Sequence, residues 1–276
     1  MGKIRIGMCD WCFPINGLAG IRFAADLGIS CYQITPGPSF RSYPLTDPFL
    51  QSQYLECAQK YNVDITTISV DALLTLPLTA DAGTALRKKA VEAIKMCIDI
   101  AGAMKIPVVM TSNARASRIT DQKGFENTAE VLKQMCAYAM DFGIKVVNEN
   151  YLDTNDTLLL LDAVGCSNFN IYYDSQNPYC FGGRNATESF IDLSEHIKKL
   201  GQIHVKDGKG KLPGSCLLGQ GSSGFFETMK VLREVDFSGD IYLENFYSES
   251  SFAAQNYNDV FELVRDDIKI LKSCFD

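Results

Sequence analysis

Ile144-Lys145-Val146-Val147-Asn148-Glu149 is followed by a polar turn, an apolar-rich stretch over Asp156 to Val164, Gly165, and then Phe169-Asn170-Ile171-Tyr172-Tyr173-Asp174. The two outer runs are short and rich in β-branched and aromatic residues, whereas the middle stretch has helical spacing, so the segment reads strand, helix, strand. A helix between consecutive strands returns the chain to the same end of a sheet and makes the strands parallel. Each outer run ends on an acid.

The same unit recurs in both directions. Toward the N-terminus, strands are expected at Ile4 to Gly7, Cys31 to Thr35, Val63 to Val70 and Ile106 to Thr111. Helices follow them over Leu18 to Leu27, Phe49 to Tyr61, Ala82 to Met104 and Gly124 to Phe142. Toward the C-terminus, a helix over Ala186 to Leu200 precedes a strand at Gln202 to Lys206. A helix over Phe225 to Val235 precedes a strand at Ile241 to Glu244, and a last helix runs from Ala253 to Leu271. Strict alternation of this kind implies a parallel sheet covered by helices. Eight units in 276 residues imply closure into a single-domain (β/α)8 TIM barrel spanning residues 1–276, a fold of about 250 residues. An open doubly wound sheet would carry a Gly-x-Gly-x-x-Gly turn after its first strand, and none follows Ile4 to Gly7. The roughly 35-residue period shows no self-similarity, which excludes a solenoid.

Composition narrows the partners. With 26 basic against 33 acidic residues and a net charge of −7, the chain lacks the basic face of a nucleic-acid binder and is poorly suited to anionic membranes. No apolar run is long enough to cross a bilayer, and no secretory leader precedes Lys3. The ten cysteines are scattered through apolar contexts, which suits reduced thiols in a cytoplasmic protein. Cys9 and Cys12 have CxxC spacing, but a zinc knuckle needs a second pair, and a redox motif would open a helix at once, where here Pro14 and Asn16 intervene. They read as small residues at the end of the first strand.

In a barrel of this type the active site lies at the C-terminal ends of the strands. The fifth ends on Glu149, the sixth on Asp174, the seventh carries His204 and the eighth ends on Glu244. Strands about 4.8 Å apart bring such residues together, and crowded carboxylates call for a cation. Three oxygens and an imidazole suit one divalent ion, Mn²⁺ first, with Mg²⁺, Co²⁺, Fe²⁺ or Zn²⁺ as alternatives. Each acid taken alone could be a helix cap, and His196, among Glu195 and Lys198, reads as a surface residue. Candidates around the metal are Trp11, the single tryptophan, as a sugar-stacking or a core ring, and Asn113 as a hydroxyl contact. Phe13 and Tyr151 are weaker pocket candidates. Lys206 could contact substrate or pair with Asp207. Gly219-Gln220-Gly221 fits a phosphate nest as well as a plain loop.

The segments Asn148-Glu149-Asn150, Tyr173-Asp174-Ser175-Gln176-Asn177, His204-Val205-Lys206-Asp207, Leu218-Gly219-Gln220-Gly221 and Gly239-Asp240-Ile241-Tyr242-Leu243-Glu244 resemble those of the xylose-isomerase-like barrel superfamily. The resemblance is closest to its sugar phosphate isomerase/epimerase branch, with ketose 3-epimerases and hydroxypyruvate isomerase. It implies that Glu149, Asp174, His204 and Glu244 bind the metal and that Glu149 and Glu244 are also the catalytic acid/base pair. The chain departs from the branch at Asn177, which stands where many members place a substrate-binding His and is itself a candidate substrate contact, at Gln33, where many have an acid, and in lacking an evident Arg after His204. The histidines of the superfamily's apurinic-site endonucleases are missing.

The expected function is thus a metal-dependent sugar isomerase or epimerase. It would work through an enediolate by proton transfer next to a carbonyl. Asn177 and Gln33 keep open a lyase, C-deglycosidase subunit or hydratase acting on 3-keto sugars. A non-catalytic scaffold would be expected to have lost a ligand, and all four are present. The expected partners are a small-molecule sugar or keto sugar and further copies of the chain, with an accessory subunit in the deglycosidase case.

Overall fold

A computed structural model describes residues 3–13, 15–247 and 259–275. Its eight strands are β1 (Ile4–Cys9), β2 (Cys31–Ile34), β3 (Asp64–Ser69), β4 (Val108–Ser112), β5 (Lys145–Glu149), β6 (Phe169–Asp174), β7 (Leu200–Val205) and β8 (Gly239–Leu243). They form one closed barrel in sequence order. The helices are α1 (Gly17–Asp26), α2 (Pro48–Tyr61), α3 (Ala85–Met104), α4 (Gln122–Met140), α5 (Thr154–Val164), α6 (Asn177–Cys180), α7 (Ala186–Ser194), α8 (Phe225–Glu234) and α9 (Val260–Ser273). Among the described residues no helix is long and apolar enough to cross a membrane.

The chain divides into two compact halves, and the division runs through β2 and β6. In the half made of residues 1–32, 61–63 and 173–276, β8 is hydrogen-bonded in parallel to both β1 and β7. Ile241 pairs with Ile6 on one side and Ile203 on the other. Ile203 and Ile241 are fully buried, so truncating either to Ala would cost about 2–5 kcal/mol. Helices α7 and α8 pack on each other. In the half made of residues 33–60 and 64–172, β3, β4, β5 and β6 form a continuous parallel ladder, with Ser112 opposite Glu149 and Glu149 opposite Tyr172. Helices α3, α4 and α5 pack in succession.

Helix starts follow side-chain capping. Thr84, Asp121, Asp153 and Asn185 each accept a backbone N–H from the first turn of α3, α4, α5 and α7, as short polar side chains at that position do. Thr84 is why α3 begins at Ala85 rather than at the expected Ala82. The expected helix from Ala186 to Leu200 stops at Ser194, and a 3₁₀ turn over Ile197–Lys199 carries the chain into β7. The short α6 breaks the loop after β6. The expected start of the last helix at Ala253 lies outside the described residues.

Candidate active site and metal centre

The ends of β6, β7 and β8 are fastened to one another before any ligand is considered. Ser175 donates its N–H to the His204 carbonyl at 3.0 Å, and its hydroxyl bonds both the Lys206 carbonyl at 3.0 Å and the Lys206 N–H at 3.1 Å. The Glu244 N–H donates to the Val205 carbonyl at 2.9 Å. Asn245 accepts from the Asp207 N–H at 2.9 Å and donates to Asp267 at 2.6 Å. Asp267 also accepts from the Tyr247 hydroxyl at 2.7 Å and the Leu218 N–H at 2.8 Å. Burial pushes the Asp267 carboxyl up to about 7, against the pull of those donors.

On this frame the Nδ1 of fully buried His204 lies 3.4 Å from Glu244 Oε2 and 4.0 Å from Asp174 Oδ2. His204 and Lys206 are two residues apart and so leave the strand on the same side. The Lys206 ammonium lies 2.7 Å from Asp174 Oδ2 and bonds Glu244 Oε2. Trp11 donates its indole N–H to Glu244 Oε1 at 3.2 Å, with its ring edge-on to His204 at 5.9 Å. Asp174 Oδ1 accepts the N–H groups of Gln176 and Asn177 at 2.8 and 2.7 Å, while its buried Oδ2 accepts no well-aligned hydrogen bond. Burial raises the Asp174 carboxyl, and Lys206 opposes that rise.

Glu149 closes β5. The Ser112 hydroxyl donates to its Oε2 at 3.3 Å. Its neighbours are structural: Asn148 bonds Thr111 and Asn113, and Asn150 accepts from the Leu152 N–H and the Thr157 hydroxyl. Asn113 is bonded on both faces, donating to the Ser117 carbonyl at 2.8 Å and accepting from Asn148 at 2.8 Å.

Within one half, a ligand atom from each of Asp174, His204 and Glu244 lies within 4.8 Å of the other two, and all three residues are buried; Glu149, also buried, ends β5 in the other half. Two carboxylate oxygens and one ring nitrogen at this spacing, with Asp174 Oδ2 left without a well-aligned hydrogen bond, fit donors of a divalent cation.

Two readings of the sequence change. Lys206 pairs with Asp174 and Glu244, not with Asp207. Asp207 organises the following loop instead, accepting the N–H groups of Gly208 (2.9 Å), Gly219 (3.0 Å), Gly221 (2.9 Å) and Ser223 (3.4 Å) and the Ser223 hydroxyl (2.8 Å). The N–H groups that could have been a phosphate nest are therefore turned onto a carboxylate of the chain itself. A Cβ at Gly221 would come within 2.0 Å of Asp207 Oδ1, which explains the glycine. Phe13 is a core ring against Phe23 and Tyr247. Tyr151 lies under the Arg118 guanidinium at 5.8 Å. Gln33 is buried, accepts from the Tyr172 hydroxyl at 3.1 Å and faces Met110.

The chain is a closed barrel with a buried cluster of ionisable groups at its strand ends, and sequence comparison specifies its family. The chain belongs to the xylose isomerase-like TIM barrel family, whose model matches residues 21–274. It is 28% identical over 229 residues to a 2-epi-5-epi-valiolone 7-phosphate 2-epimerase of an Actinoplanes species, covering 83% of this chain and 82% of that one. A D-psicose 3-epimerase from Clostridium cellulolyticum H10, solved with D-tagatose, superposes with a TM-score of 0.78 at 14% identity over 99% of both chains. A D-allulose 3-epimerase from Methylomonas sp. gives 0.74 at 18% identity, again over 99% of both. At these identities the two solved structures share the fold.

Proposed function

We propose that this chain is a divalent-metal-dependent epimerase or isomerase of a polyhydroxylated ketone, acting by proton transfer at the carbon beside the carbonyl. The observation that carries the reading is the buried Asp174, His204 and Glu244 cluster in a chain of this family, with a further buried carboxylate, Glu149, ending β5. The epimerase names of the Actinoplanes relative and the two ketose 3-epimerases support it.

In this reading Glu149, Asp174, His204 and Glu244 hold the ion, with Mn²⁺ the first choice. The bound ion supplies Lewis-acid stabilisation of negative charge on the sugar oxygens. Glu149 and Glu244, on the non-neighbouring strands β5 and β8, take the carbon-bound proton and return it. Return to the opposite face of the same carbon inverts the centre; return to the adjacent carbon interconverts aldose and ketose. Trp11 holds Glu244 through Oε1 and offers its ring to the sugar. Lys206, released from sole pairing with Asp174 and Glu244, donates to a substrate oxygen. Asn177 lies beside them with its N–H on Asp174. Asn113, bonded on both faces, holds the end of β4, and that is a narrower role than substrate contact.

The test is a panel of ketoses, keto-cyclitols and 3-keto sugars incubated with Mn²⁺-loaded protein in D₂O. Solvent deuterium beside the carbonyl of an inverted or isomerised product supports the reading. Loss of a β-substituent would assign elimination instead, and complete retention of a substrate deuterium at the adjacent carbon would replace proton transfer with hydride transfer.

A further inference from the structure

The CxxC pair lies against the same site. Cys9 ends β1, and Asp10–Cys12 form one 3₁₀ turn. Cys9 is extended, and the turn that follows it folds the chain back so that the Cys12 sulfur comes beside that of Cys9. The β1–β8 ladder pairs Met8 with Leu243, and one more step sets Cys9 beside Glu244. The two Sγ atoms and a Glu244 carboxylate oxygen all lie within 4.8 Å of one another, and all three residues are buried. Neither cysteine is in a disulfide. Trp11, between them, binds the Glu244 carboxylate to this turn at 3.2 Å.

Two donor sets of different softness therefore share one residue. The first offers three oxygens and an imidazole; the second offers two sulfurs and an oxygen. A tetrahedral ion with metal–sulfur bonds near 2.3 Å sets its sulfurs roughly 3.8 Å apart, within the observed spread. Thiolates select Zn²⁺ or Cd²⁺ and discriminate against Mn²⁺ and Mg²⁺.

We propose that Cys9, Cys12 and Glu244 form a second, thiophilic metal site whose occupation withdraws Glu244 from the oxygen-rich cluster and inhibits turnover. On binding, the ion forms two metal–sulfur bonds and one metal–oxygen bond, and the two thiol protons pass to solvent. No oxidant is involved. The binding claim stands on the thiol geometry alone, whereas the inhibition claim rests on the proposed role of Glu244.

Metal-stripped protein is titrated with Cd²⁺ while the sulfur-to-cadmium charge-transfer absorption is recorded, alongside C9S/C12S. Wild type should develop a band that the double variant lacks, and should take up one more Cd²⁺ per chain. An equal band in both proteins would place the thiolates among the other cysteines and overturn the proposal. If C9S/C12S does not fold, cadmium NMR of the wild type decides by the number of sulfur ligands, with no thiolate pair refuting the site. In Mn²⁺-loaded protein, Zn²⁺ should inhibit wild type, and C9S/C12S should need at least about tenfold more Zn²⁺ for the same loss. A separate Mn²⁺ titration distinguishes the two readings. Protein that takes no Mn²⁺ yet shows the thiol-dependent band loses the proposed function and keeps this site.

Discussion

The ends of β6 and β7 each lead into a buried aspartate that accepts backbone N–H groups, and the two do opposite things. Asp207 has both oxygens consumed by the loop over Gly208 to Ser223. Asp174 spends Oδ1 on Gln176 and Asn177 and keeps Oδ2 for cations. Both are buried; what separates an organising acid from a candidate ligand is how many lone pairs the fold has already filled.

The largest effect expected from this contrast is on stability. Asp207→Ala strands four N–H groups and a hydroxyl, several of them buried, and should cost about 3 kcal/mol or more. Urea denaturation of the variant checks this. Asp174→Asn keeps an oxygen for the two N–H groups and should be much milder in the same measurement. Equal losses would break the distinction between the two residues.

Next in size is the chemistry. Glu149→Gln and Glu244→Gln still offer an oxygen to a cation but cannot act as a base, so deuterium exchange beside the substrate carbonyl should fall by about 10² or more. Metal analysis of the same samples should show the ion largely retained. Exchange that survives in both variants would remove the two carboxylates from the proton path.

How much of this was legible beforehand follows from the same residues. The four strand-end candidate ligands could be read because an apolar run ending on an acid or histidine marks the C-terminal end of a barrel strand, whatever the loops do. The partner of Lys206 was legible in principle: the two-residue period of a strand puts His204 and Lys206 on one side and Asp207 on the other. Its proximity to Asp207 in the chain masked that signal. The start of α3 was signalled by Thr84 as a cap. The role of Asp207 depends on a loop returning from Gly219 to Ser223, and no local pattern states where a loop returns. Asp267 is a still harder case. It sits in the run Arg265-Asp266-Asp267, which looks like an ordinary solvated helix face, yet it is fully buried against Asn245, Tyr247 and Leu218.

Asp267 gives an effect confined to a window of pH. Its carboxyl is raised from an ordinary 3.8 to about 7, so between those values the folded chain holds a proton that the unfolded chain has lost. The stabilisation is complete below about pH 4 and declines as pH rises to about 7, at up to about 1.4 kcal/mol per pH unit. Other carboxylates contribute slopes of the opposite sign, so the readout is the difference between wild type and Asp267→Asn across that window. Parallel curves would mean that Asp267 is ionised throughout.

Asp174 Oδ2, which in this structure faces the Lys206 ammonium at 2.7 Å, is proposed to hold a divalent ion together with Glu149, His204 and Glu244. Elemental analysis of protein purified without chelator tests it most directly, with Asp174→Asn and Asp207→Asn prepared in parallel. The account predicts close to one Mn, Mg, Co, Fe or Zn ion per wild-type chain, loss of that ion in Asp174→Asn, and its retention in folded Asp207→Asn. Wild-type protein that is metal-free and still turns over its substrate in excess EDTA would contradict it.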